Sequence, residues 1–181
     1  MSGASDPPYA AFHQRLGAYL IDLIPCLVLM LIFVFVVVRP IMIAVLVPEG
    51  VPAGPPDPRA LWAAAGASQK AVVLLLFLVS AWVPSGLYYA VLESSSRRAT
   101  LGKMALDLVT VRADGDRVSF LRAAARYFVK AFVAFFVPFG FVAILPLFGA
   151  RRQAAHDWAT GVVVVRRGQV EAVRPVETGM V

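Results

Sequence analysis

The stretch "RLGAYLIDLI", residues 15–24, holds the first groups in this chain whose types and spacing could do chemistry. Arg15 stands at the threshold of an apolar run that continues almost unbroken to Val38, and Asp22 lies inside that run. Seven residues make two helical turns to within about 20°, so Arg15 and Asp22 share a face, with Tyr19 between them. Their separation along the axis is about 10.5 Å, too long for a direct contact, so each charge needs another partner. A carboxylate near mid-membrane costs about 2.5–3.5 kcal/mol on insertion scales, which turns Asp22 toward protein or water. Two chemistries suit such an acid. One is proton or monovalent-cation binding for ion coupling. The other is a structural hydrogen bond between helices, for instance to the carbonyl that Pro25 leaves without its usual donor.

The remaining candidates have plainer readings beside their functional ones. Arg15 also suits positive-inside anchoring with lipid-phosphate contact. Asp157, in "AAHDWATGVVVV", is expected to pair with a nearby base such as Arg15. "LGK", 101–103, is not a phosphate loop, since the upstream glycine and the following Ser or Thr are missing, so Lys103 reads as an interfacial lysine. His156 has only His13 as an imidazole companion, so neither a metal site nor another cofactor is expected. No G-x-S-x-G, H-E-x-x-H or cysteine pair is present, which argues against an enzyme. Cys26 is the single cysteine and excludes an internal disulfide. Pro25 precedes it where lipoprotein processing needs a small residue, and the apolar run exceeds a signal-peptide core of about 7–15 residues. An uncleaved anchor is expected.

The elements that must position these groups are membrane elements. Of 181 residues 60% are hydrophobic and 15% charged, with mean hydropathy +0.76. A soluble domain averages about 45–50% apolar and 25% charged. Leu16–Val38 and Ala71–Leu92 are each long enough for a hydrocarbon core of about 30 Å. A third stretch, Tyr127–Ala150, is interrupted by Lys130, Pro138, Gly140 and Pro146. Basic residues border the apolar segments, so the net charge of +6 points to anionic head groups and excludes nucleic acid as a partner.

The reading is an all-α membrane protein: two full transmembrane helices, a third apolar segment that is a full span or a re-entrant hairpin, and a small cytoplasmic β-hairpin. Residues 1–11 form a tail, 12–167 the membrane domain and 168–181 a second tail. Pro25 should kink the first span near Ile21, Arg39-Pro40 should close it, and "PEGVPAGPPDP", 48–58, should be a linker. Leu61–Lys70 reads as a helical lead-in to the second span. Thr100 can cap a short interfacial helix, and "LDLVTV" and "RVSF" flank a turn at Asp114-Gly115. Arg122, Arg126 and Lys130 make a basic stripe expected to snorkel outward. Val162–Val165 is a candidate strand. If the third segment enters and leaves by one face, fourteen of the 17 Lys and Arg lie on that face and three on the other. That bias makes both termini cytoplasmic.

In order along the chain, "RLGAYLIDLI", "TLGKMALDLVTVRADGDRVSF…RAAARYF" and "AAHDWATGVVVV" resemble the RDD family of small bacterial membrane proteins, over about residues 12–167. The resemblance implies Arg15, Asp22 and Asp157 as the family's charge set, with Thr100, Gly102, Lys103 and Arg126 in its central pattern. Trp158 stands where the family more often has an aliphatic residue. The resemblance further implies a domain usually drawn with three helices, in the bacterial inner membrane, with a transporter role, including cation/proton exchange, proposed for members. A domain this small would transport as a homo-oligomer or as a subunit. The alternative is a non-transporting assembly, scaffold or sensing factor whose Arg/Asp set fixes helix packing.

Overall fold

A computed structural model describes residues 8–47, 57–136 and 153–173. It divides into two compact units, one of Met1–Ile24 with Gly86–Val181, the other Pro25–Ser85.

The helix that begins as α1 (Phe12–Phe33) enters the second unit at Pro25 and runs through that residue without a break. It continues through a wide π-helical turn, Val34–Val38, into α2 (Arg39–Leu46). Arg39-Pro40 therefore does not close the helix. Pro40 has no N–H to give, and the ladder accommodates it by widening, with the Arg39 N–H donating five residues back to the Val34 carbonyl. Most of the proposed linker, 48–56, lies outside the described residues. Asp57 accepts the Arg59 N–H at 2.9 Å and caps α3 (Pro58–Ala64). The expected lead-in over Leu61–Lys70 breaks at Ala65-Gly66. There the Gln69 side chain accepts the Gly66 N–H and donates to the Val45 carbonyl. From Ala67 the chain is helical to Ser94 as α4, carrying Pro84 inside it. Phe12–Leu46 and Ala67–Ser94 are the helices long and apolar enough to cross a bilayer among the described residues. At about 1.5 Å per residue, each exceeds a 30 Å core.

The first unit is organised on a two-stranded antiparallel sheet. After α5 (Leu101–Ala105), β1 (Leu108–Arg112) pairs with β2 (Val162–Arg166), Leu108 opposite Arg166 and Arg112 opposite Val162. The strand expected at Val162–Val165 is present, but the local hairpin is not. Of it only the turn and one bridge, Val111 to Arg117, remain. The competing partner is better. "VVVV" is apolar on both faces and buries each against other side chains, whereas "RVSF" offers one such residue. Val109, Val111, Val163 and Val165 pack on one face with Ala99. Leu108 and Val164 pack on the other with Ala10 and Ala18, and Val162 with Ala90, Val118 and Ala123. Tyr9 bridges to Val165, and the Ala10 N–H donates to the Val164 carbonyl at 2.9 Å, so residues 9–10 belong to the folded body rather than to a tail.

The last long helix among the described residues, α6 (Phe120–Phe136), is inverted relative to a soluble helix. Leu121, Phe128 and Phe132 are exposed while Arg126 is buried. The basic stripe thus faces inward at Arg126 and only Arg122 points out, against the expected snorkelling. Apolar residues outward and charges inward is the pattern lipid selects. The breaker at 137–140 and the rest of the third apolar stretch lie outside the described residues. A short helix, α7 (Ala155–Thr160), ends at Gly161, whose φ of 62° supplies the left-handed turn into β2.

Candidate functional site

Asp22 is 1% exposed and sits on α1 opposite the start of α5. Thr100, at the N-cap, accepts the Lys103 N–H, as its sequence position suggests. The Thr100 hydroxyl in turn donates to Asp22 Oδ2 at 2.6 Å. The Gly102 N–H and the Tyr88 hydroxyl both donate to Asp22 Oδ1 at 2.7 Å, and the Leu101 N–H donates to the Tyr88 oxygen. The first amides of α5 are all satisfied, and the carboxylate stands at the positive end of that helix. Gly102 makes this possible, since a Cβ there would lie 2.0 Å from the Ala18 carbonyl oxygen. Asp22 receives donors from α4 and α5 and makes no ion pair among the described residues.

A second constellation links the other charges. Arg15 Nη1 donates to Asp157 Oδ2 at 2.5 Å, so the two ends of the recognised pattern meet. Arg126 bridges two carboxylates: Nε donates to Asp157 Oδ1 at 2.6 Å, and Nη1 to both oxygens of Glu93 at 2.7–2.8 Å. Lys103 Nζ donates to Glu93 Oε1 at 2.5 Å and to Thr110 Oγ1 at 2.7 Å. Lys103 is therefore a buried link in the network and not the interfacial lysine its sequence suggested. The strand pleat explains Thr110, which lies on the helix-facing side of β1, directly across from Val164.

Asp157 also accepts the Ala154 N–H in the first turn of α7. Burial alone would raise its carboxyl, but the Arg126 and Arg15 guanidinium groups hold it well below the usual carboxylate range. Burial pulls the Lys103 ammonium down, against the Glu93 carboxylate that holds it up. His156 Nε2 lies 3.4 Å from Asp157 Oδ1. Burial outweighs that carboxylate and lowers the imidazole to about 3, so at neutral pH His156 is uncharged and the contact is not an ion pair.

Sequence reasoning missed Glu93, the residue on which Arg126 and Lys103 converge. Its signal was available: it is the only carboxylate between Asp57 and Asp107, and it closes the second apolar run. Asp22, Glu93, Lys103, Arg15, Arg126 and His156 line one partly open cavity of about 220 Å³. Tyr19 lines it too, its ring 4.2 Å from Lys130 Nζ. Among the described residues no group of three or more His, Cys, Asp or Glu is placed to hold a metal ion.

No match was found among curated proteins or among solved structures. The family comparison is positive. The RDD family model covers residues 9–161, which include every charged group of the network and Asp22, and the chain belongs to the RDD family.

Proposed function

We propose that this membrane protein is a small transporter or transporter subunit of the bacterial inner membrane that couples to protons. The carrying observation is that Asp22 and Glu93, the acids of the two candidate spans, line the same cavity as Arg15, Lys103 and Arg126. A purely structural network has no need of a shared space. Carboxylates beside basic groups in apolar surroundings can exchange a proton at modest cost when a neighbour moves. The lining has four basic side chains (Arg15, Lys103, Arg126, Lys130) against two acidic ones, which favours a proton over a monovalent cation as the coupling ion. One such domain makes a thin pathway, so the working form is a homo-oligomer or a larger assembly.

A second reading has its own observation. Asp22 accepts three hydrogen bonds and holds α5 against α1, as a packing clamp in a scaffold or sensing module would. Purified protein in proteoliposomes, challenged with proton, sodium and potassium gradients, separates the two. Transport predicts wild-type flux that falls at least tenfold in Glu93→Gln. No wild-type flux across the panel, with Asp22, Arg15 and Asp157 variants equally reduced in protein level, supports the clamp.

A further inference from the structure

Lys130 is the cation of the cavity that the network does not use. Arg15, Arg126 and Lys103 each meet a carboxylate, but the Lys130 ammonium lies over the rings of Tyr19 and Tyr89, at 4.2 and 5.1 Å, and makes no ion pair among the described residues. Aromatic faces shield an ammonium without neutralising it. The lining therefore carries unbalanced positive charge even with Asp157 drawing on Arg15 and Arg126 from behind. The mouth has a different chemistry. Phe12, Leu16 and Tyr19 follow one another at helical spacing on α1, line the cavity and are still 41–47% exposed. A cavity that is cationic inside and apolar at its rim matches an anionic amphiphile.

We propose that this cavity binds a phosphate group that carries no cation of its own, with Lys130 as its charge partner and with Phe12, Leu16 and Tyr19 placed to flank an acyl chain. The phosphate comes from a bilayer lipid or from free phosphate. The site does not depend on the chain transporting anything. Native mass spectrometry of the purified full-length protein in neutral detergent tests it, with phosphatidylglycerol, phosphatidylcholine and inorganic phosphate as the three probes. Phosphatidylglycerol should be retained at about fivefold lower concentration than phosphatidylcholine, the preference expected of one lysine near an anionic group. Lys130→Gln should abolish that preference and Lys130→Arg should keep it. Phe12→Ser, which leaves the charge, should weaken phosphatidylglycerol and spare inorganic phosphate if the lipid is the source. Retention of inorganic phosphate alone, lost in Lys130→Gln, assigns the site to free phosphate. Equal retention of both lipids with no phosphate bound overturns the proposal, as does a phosphatidylglycerol preference undiminished in Lys130→Gln. Should Lys130→Gln not be recovered folded, Lys130→Met, which keeps the apolar stem, serves in its place.

Discussion

Asp22 and Asp157 are both buried acids, yet they are held by different forces and should fail differently. Asp22 accepts from Gly102, Thr100 and Tyr88 without a cation. Asp22→Leu removes a polar group from an apolar helix, so insertion should be undisturbed. It also orphans three donors, at about 1–3 kcal/mol each when buried. Asp22→Asn keeps one acceptor. The expected outcome is a loss of about 3 kcal/mol for Asp22→Leu and about 1 kcal/mol for Asp22→Asn, read by denaturant unfolding in detergent. Equal losses would mean that the charge, not the acceptor, does the holding. His156 gives a pH prediction. Its folded-state value of about 3 lies below the ordinary 6.5, so the unfolded chain binds the extra proton and stability falls as pH drops from about 6.5 toward 3. Asp157, also depressed, adds a further loss below its ordinary value of 3.8. His156→Gln should flatten the upper part of that acid limb and leave the lower part, as a thermal-shift series from pH 7 to 3 would show. At this scale Arg15 and Asp22 stood out in the sequence because charge in an apolar run is conspicuous, whereas Asp157, outside such a run, was picked out by the resemblance to the family. Glu93 did not stand out, because at the end of a span an acid reads as the start of the loop.

At the scale of elements, α5 packs closely on α1. A methyl group on Gly102 would stand 2.0 Å from the Ala18 oxygen and 3.0 Å from Asp22 Cγ, and the first of these is backbone that cannot swing aside. Gly102→Ala should therefore push α5 off α1, break the Gly102–Asp22 hydrogen bond and cost about 3 kcal/mol or more. Gly168→Ala, where nothing lies within 4 Å, is the control and should be silent. A Gly102→Ala protein as stable as wild type would refute the close packing. The elements were legible where one local rule decides them: Thr100 as a cap, the two long spans, the strand at 162. They were misread where a distant partner outbid a local one. Asp114-Gly115 is a sound turn, but β1 gains more from "VVVV" fifty residues on than from "RVSF" beside it. Arg126 is a sound snorkeller until Glu93 and Asp157 offer it two carboxylates inside.

For the whole molecule the sheet bears on topology. Pro8–Ala10 precede the first span, β1 follows the second, and β2 follows the third apolar stretch, yet all three are joined by backbone hydrogen bonds. Ala10 N donates to Val164 O, Arg166 N to Pro8 O, and β1 pairs with β2 over five residues. Arg15–Asp157 and Arg126–Asp157 tie the same three regions through side chains. Backbone groups paired in this way cannot sit on opposite sides of a bilayer. If Phe12–Leu46 and Ala67–Ser94 both cross the bilayer, they bring the chain back to the face on which it began. On that premise the pairing of β1 with β2 is compatible with the same-face arrangement of the charge count and not with a third single span. Charge agrees, since this arrangement puts fourteen Lys and Arg on the sheet's face and three on the other. The expected outcome is that both termini and the sheet are cytoplasmic. In a Cys26→Ser background, single cysteines replacing Ser5 and Thr178 should both be shielded from an impermeant maleimide in intact cells and both be labelled in inverted vesicles. A cysteine replacing Ala53, between the first two spans, should show the reverse. Ser5 and Thr178 labelled from opposite faces would require three full spans and would dissolve the sheet on which the site is built.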